Sequence, residues 1–282
     1  MPGSPSTAPA VAGAALDLAN AQRSAAEIQR GLNRFKVVPA TTDALRDEAF
    51  RIRHRVFCEE LTLFERRADG RETDEFDERA VHVLLQEAGT GEAVGCVRVV
   101  KGQRDNLHAL LPFESVCGQA IDKSILDLDR VPRELVGEVS RLGVIGKYRR
   151  RPGEARVPVP LEASATVSEA APNRRQFPYI LVSLYLGAYA VAQREGLQFL
   201  FTFTELRLRD HLARLGIPMV QVGGPIQHKG LRVPAAMRVS SIAENLNPFV
   251  RALYEQIARD IETGFSHEES GHQQGARRSV QL

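Results

Sequence analysis

Glu72-Thr73-Asp74-Glu75-Phe76-Asp77 precedes a run rich in valine and leucine, Ala80 to Gln86, and then Gly95-Cys96-Val97-Arg98 inside a second such run, Ala93 to Val100. Clustered carboxylates therefore stand beside an arginine in the middle of a strand-like segment. By the two-residue period Arg98 shares its strand face with Val94 and Cys96, so its guanidinium is aimed along an apolar surface. A charge in that setting needs a carboxylate partner.

The two runs are joined by Glu87-Ala88-Gly89-Thr90-Gly91-Glu92, which predicts a hairpin or longer loop between antiparallel neighbours. Upstream, Phe35 to Val38 reads as a short first strand. Asp43 then caps a helix with Leu45, Ala49, Phe50, Ile52, Val56 and Phe57 at helical spacing, and that helix ends in the acid-rich loop. Downstream, Leu135 to Ile145 is strand-like but carries Glu138 and Arg141. Phe199 to Thr204 alternates phenylalanines with Leu200, Thr202 and Thr204. Helices are expected at Tyr179 to Arg194, Glu205 to Leu215 and Ser241 to Glu262. The order strand, helix, hairpin, strand, helix, strand, helix, strand predicts one mixed α/β domain with helices on both faces of a central sheet.

Composition narrows the function classes. The 282 residues, 43% hydrophobic and 26% charged, describe an ordinary soluble chain with one sizeable core plus appendages. Lys and Arg total 37 against 35 Asp and Glu, so the net charge of +2 gives no global push toward nucleic acid or membrane. Electrostatic partners must be sought locally. Glu59 to Glu78 is acid-rich, whereas Lys147, Arg149, Arg150, Arg151, Arg156, Arg174 and Arg175 form basic clusters suited to an acidic partner.

Cys58, Cys96 and Cys117 are odd in number and lack metal-ligand spacing, which fits reduced thiols in a cytoplasm. The histidines, including His54, His82 and His211, also lack metal spacing, so no metal is expected. The first basic residue is Arg23, and Asp17 interrupts the N-terminal apolar run, so neither a signal peptide nor an anchor is expected. Phe177 to Ala192 falls short of the roughly 20 residues that span a bilayer and reads as a buried helix. Residues 1–33 form a poorly anchored extension, and 266–282 a polar, disordered tail.

The site candidates form an ordered set: Arg53-x-x-x-Phe57, Glu72-x-Asp74-x-x-Asp77, Gly95-Cys96-Val97-Arg98, Glu138-Val139-Ser140-Arg141 and Thr202-Phe203-Thr204. In order and spacing this set resembles the acyl-homoserine-lactone synthases and the related N-acyl amino acid synthases, a branch of the GCN5-related N-acyltransferases. The Arg-Val-Phe-Cys-x-Glu segment and the Tyr-Arg-Arg-Arg stretch look most like the acyltransferases associated with the PEP-CTERM/exosortase system. The resemblance covers about Phe35 to Arg238, and each motif is weak without the others.

It implies a GNAT-like fold, mainly antiparallel, over residues 34–265, with an inserted segment at about 149–176. It also implies attack by a substrate amine on an acyl thioester, carried by acyl carrier protein or coenzyme A as co-substrate, with no permanently bound cofactor. The carrier protein and a small amine are the expected partners. Nucleic acid, a transmembrane segment and a covalent enzyme intermediate are not expected.

An α-amino group is largely protonated at neutral pH, so its attack requires a base. Glu138 is the candidate for that role, as base or water-orienting group, the alternative being a carboxylate merely paired to an arginine. Asp74, Asp77 and Arg98 occupy catalytic-set positions of the resembled family. They either shape the amine pocket with Arg53 or form a purely structural ion-pair network. Arg98 or Arg53 could also grip an acceptor carboxylate through a two-pronged contact. Glu138 and Arg141 would point to opposite faces of a regular strand, so bringing both to one site needs a bulge, which the resembled fold has here. Without one, Arg141 serves the acidic loop.

Thr202 and Thr204 match family threonines near the acyl carbonyl and chain, although strand packing or backbone bonding accounts equally for them, and Phe57 lines the pocket or is a core phenylalanine. Val144, Lys147, Arg149, Arg150, Arg151 and Gly153 resemble the stretch that binds the donor's phosphate arm, or they form a solvated basic loop. The insertion after Gly153 departs from the family pattern and fits a flap over a long acyl chain. Homoserine-lactone synthases usually carry tryptophan where this chain has Leu63, so an amino acid or related amine is the preferred acceptor over S-adenosylmethionine. A signal-lactone synthase, an acetyl-CoA-dependent acetyltransferase and a non-catalytic acyl-chain sensor remain alternatives.

Overall fold

Strands β2 (Ala80–Glu87) and β3 (Ala93–Lys101) pair antiparallel, with Val83 opposite Val97 and His82 opposite Arg98. They belong to a computed structural model of the chain that describes residues 33–149 and 176–279, apart from 107 and 126. The N-terminal extension, most of the insertion and Arg150, Arg151 and Gly153 lie outside the described residues. Strand β1 (Phe35–Pro39) adds to the outer edge of β2, and β4 (Val136–Val144) to the inner edge of β3. The sheet continues through β5 (Phe199–Thr204), β8 (Leu231–Arg238) and β6 (Val220–Gln221), while β7 (Ile226–Gln227) pairs with β8. Among the described residues only the β4–β5 pair is parallel. The mixed, mainly antiparallel sheet expected from the sequence is thus present.

Alternation along β2 and β3 decides which helix covers which face. Helix α1 (Asp43–Arg53) packs on the face carrying His82 and Arg98, where the Phe50 ring stands edge-on to His82 with centroids 5.1 Å apart. Thr42, rather than Asp43, is its N-cap: the threonine Oγ1 accepts from Leu45 N at 3.3 Å, leaving Asp43 in the first turn to receive Arg46. The helix runs on through a π-helical stretch, His54–Glu60, closed by Leu61 N donating to Val56 O. That widened turn directs Val56, Phe57 and Cys58 inward together.

The opposite face is covered by the predicted apolar helix α4 (Gln176–Arg194), buried almost all round from Ile180 to Ala192. Each fully buried leucine or valine there contributes about 1.5–3 kcal/mol. Gly187 lets the helix axis come close, because a Cβ there would meet Val37 Cγ1 at 2.8 Å. Two short helices, α2 (Pro112–Cys117) and α3 (Gly146–Arg149), flank β4, and α5 (Leu206–Arg214) follows β5. The C-terminal helix expected as one piece is two, α6 (Val239–Asn245) and α7 (Pro248–Ser279). Pro248 forces the break, since it cannot donate within a helix and pushes the preceding residue out of helical backbone. Helix α7 lies against α4 and β1, and its backbone continues past Phe265, where a frayed tail was expected. No helix among the described residues is long and apolar enough to cross a membrane.

Candidate active site

Beside β3, strand β4 carries one extra residue. Arg98 pairs with Ser140 but Cys96 pairs with Gly143, and Arg141 sits in left-handed backbone with φ of 54°. This is the bulge required to bring Glu138 and Arg141 to one site. Toward β5, pairing stops at Glu138 opposite Phe201. Past that point residues 139–142 of β4 and 202–204 of β5 line a cavity of about 180 Å³ instead of bonding to each other.

Glu138 stands at the inner end of this gap, only 3% exposed. Its Oε2 accepts from the backbone N–H of Phe113 at 2.6 Å. Phe113 is held there by α2, whose Glu114 receives Arg133 through both guanidinium Nη atoms, at 3.0 and 2.6 Å, and also caps Leu111 N. The Phe113 ring stacks on Phe201, with centroids 4.9 Å apart. Burial pushes the Glu138 carboxyl up to about 8, and the Phe113 bond and the charges of Arg98 and Arg141 only partly oppose it. A carboxyl poised near neutrality and open to a cavity suits proton transfer.

Behind the cavity wall lies an ion-pair network. Arg53 donates to Glu72 and Asp77, each at 2.6 Å. Arg98 donates to Asp77 at 2.6 Å and to Asp74, and through Nε to Ser140 Oγ at 3.2 Å. Arg141 bridges Glu72, at 3.1 Å, and Asp74, at 2.8 Å. Arg53 and Arg98 are wholly buried. Burial would raise the Asp77 carboxyl, but its bonds to the two arginines outweigh this and hold it at about 2. Burial together with the flanking arginines drives His82 down to about 3, so it stays neutral beside the network.

The candidate residues divide accordingly. Glu138, Arg141, Phe57, Thr202 and Thr204 line the cavity; Arg53, Asp74, Asp77 and Arg98 do not. Where a grip of an acceptor carboxylate by Arg53 or Arg98 was expected, the structure sets both guanidiniums behind the wall, each bonded to two protein carboxylates and each with one buried Nη2 that has no hydrogen-bond partner among the described residues. Val144 is a core residue paired with Gly95, Lys147 lies 5.1 Å over the Tyr148 ring, and Arg149 donates to Glu60 at 2.8 Å. None of these three reaches the cavity. The thiols are buried; Cys96 and Cys117 are pushed up to about 12 and Cys58 is also raised, all by burial, so none supplies a thiolate at neutral pH.

Other cavity residues escaped the sequence reading. The Tyr185 hydroxyl, on the mostly apolar α4, bonds with Thr202 and Thr204. Its polar tip in an apolar helix is the one signal that could have drawn notice. Phe64 lies between two cations, 4.7 Å from the Arg141 guanidinium and 3.1 Å from Lys229 Nζ. His228, Lys229 and Arg232 come from the β7–β8 hairpin, a stretch without motif.

Residues 52–157 match the family described as the acetyltransferase (GNAT) domain. Among solved structures, TofI in a ternary complex with an inhibitor and MTA is 18% identical, with a TM-score of 0.50 over 76% of this chain and 99% of that one. MesI, a CoA-dependent acyl-homoserine lactone synthase, is 18% identical, with 0.49 over 80% and 95%. FeeM, an N-acyl amino acid synthase from uncultured soil microbes, is 15% identical, with 0.49 over 76% and 95%. No curated protein matches the chain. The fold is GNAT-like, and residues 52–157 carry the match to the acetyltransferase (GNAT) domain.

Proposed function

We propose that this protein is an N-acyltransferase that moves a long fatty acyl chain from an acyl carrier protein or coenzyme A thioester to the amine of an amino acid or related small amine. The observation that carries the reading is Glu138: a buried carboxyl raised to about 8, fixed by one backbone bond, at the wall of a cavity between diverging strands. An ammonium entering the cavity gives its proton to the Glu138 carboxylate, and the freed nitrogen attacks the thioester carbonyl. The carbon–nitrogen bond forms, the carbon–sulfur bond breaks, and the departing thiolate takes the second proton that the nitrogen sheds on becoming a neutral amide.

The cavity is smaller than the about 300–1,000 Å³ typical of drug-sized sites, so it has the size of a small acceptor. Thr202 and Thr204, anchored by Tyr185, line its β5 side, and Arg141 reaches it from the ion-pair network. Leu63, where the resembled lactone synthases carry tryptophan, is also at the wall, which supports an amino acid over S-adenosylmethionine. The carrier-protein donor, the cytoplasmic location and the kinship with acyltransferases of the PEP-CTERM/exosortase system rest on the sequence resemblance and the basic residues around Lys147.

The test is direct. Purified protein is incubated with an amino-acid mixture and either acyl carrier protein or coenzyme A thioesters of graded chain length. Free thiol and a new amide should appear together in equal amounts, with the carrier-protein thioester consumed faster. Unchanged thioester and amine in every combination would refute the proposal.

A further inference from the structure

The β7–β8 hairpin puts a guanidinium in the cavity whose hydrogen-bonding capacity the protein leaves partly unused. Val233 pairs with Thr204, so Arg232 stands just past the end of β5, opposite Glu205. Its Nη1 reaches the Phe203 carbonyl only at 3.4 Å, and its Nη2 lies 3.9 Å from Glu205 Oε1, beyond hydrogen-bond length. Its Nε is buried with no hydrogen-bond partner among the described residues. The other cations on the wall are committed. Arg141 is bound to Glu72 and Asp74, and Lys229 donates to the Leu63 carbonyl at 2.7 Å while resting on Phe64.

Buried donors without partners are uncommon in folded proteins and call for a specific reason. An anion in the cavity would supply one, since a planar guanidinium presents two parallel N–H groups to a carboxylate. Glu205 does not serve, because at 3.9 Å it is attracted without bonding.

We propose that Arg232 binds the carboxylate of the acceptor, so that the substrate is an amine that also carries an acid group. This inference rests on the acyl-transfer reading above and extends it to substrate selection. Glu138 and Arg232 line the same small cavity from β4 and β8, so one compact amino acid can present its amine to the first and its carboxylate to the second. A neutral amine would leave the guanidinium unpaired on binding, and a site built to bond a polar group rejects analogues that lack it.

The experiment compares the best amino-acid acceptor from a mixed panel with its decarboxylated counterpart. Wild-type protein should favour the amino acid by at least about 100-fold in kcat/KM. Arg232→Met, which keeps the aliphatic stem, should lower kcat/KM for the amino acid about 10–100-fold, mainly through KM, and raise it for the decarboxylated amine, which no longer leaves a guanidinium unpaired. Arg232→Lys, with its charge kept, should be intermediate and serves if the methionine variant fails to fold.

Equal use of the two acceptors by wild-type protein, or equal losses for both on substitution, would overturn the inference while leaving acyl transfer intact. Inhibition by 4′-phosphopantetheine that disappears in Arg232→Met, with amine selectivity unchanged, would assign the cation to a donor phosphate and also overturn it. Failure to acylate any amine would remove the underlying reading as well.

Discussion

Glu138→Gln should lower the rate of acyl transfer by about 10²–10⁴-fold while the protein stays folded and continues to bind its substrates. The amide keeps the volume of the carboxyl, and its oxygen still accepts the Phe113 N–H, so the wall is preserved and only the proton acceptor is lost. Two pH dependences separate a base from a carboxyl that merely packs. The wild-type rate should climb with pH through about 8, as Glu138 ionises in the folded protein, and this limb should be absent from the residual activity of the variant.

Stability should move the other way. The folded carboxyl is raised above its ordinary value of 4.5, so the unfolded chain ionises first. The contribution of Glu138 is therefore fully present below about 4.5 and is lost as pH rises from there through about 8. Glu138→Gln escapes that loss, so its unfolding free energy relative to wild type should grow across the window and level off above it. Denaturant titrations at pH 4, 6 and 9 read this directly. An unaltered transfer rate in the variant would leave the sensor alternative standing.

Strands and helices were legible where a single period dominated. β2, β3 and the helix ending at Arg194 announce themselves because one face or the whole surface of each is buried among apolar neighbours. The lone charges at Arg98 and Glu138 were equally legible, because an ionisable group within a strand demands a partner. Which partner, and which side of the wall, was not legible. Arg53, Asp74, Asp77 and Arg98 neutralise one another across segments far apart in sequence, and only folding shows that this leaves them enclosed. Phe113 and Arg232 act through where their backbones are placed, one by an N–H and one by its register beside Thr204. Neither signals this by residue type or spacing. The bulge lies between: the need to unite Glu138 and Arg141 implied it, but Arg141 has no residue-type preference for left-handed backbone, so sequence by itself could not place it.

Asp77→Asn should destabilise the fold by about 3–5 kcal/mol, more than any single truncation on the exposed face of α1. One oxygen of Asp77 receives both Arg53 and Arg98 at 2.6 Å, with His82 Nε2 3.5 Å away. Two wholly buried guanidiniums thus share one carboxylate, and His82, held neutral, cannot substitute for it. The amide would face the two donors with less than a full negative charge, leaving positive charge buried without compensation. The depressed carboxyl also sets the acid limit: it contributes stability above its ordinary value of 3.8, and that contribution fades as pH falls through about 2. Wild-type protein should accordingly lose stability between about pH 4 and 2, and Asp77→Asn should show a shallower loss there from a lower starting point. The network borders the cavity through Arg141 and through Ser140, which Arg98 bonds, and Asp77 itself does not line it, so activity measured on the folded fraction should fall far less than in Glu138→Gln. A folded, normally stable Asp77→Asn with abolished transfer would reverse that assignment and make Asp77 part of the chemistry.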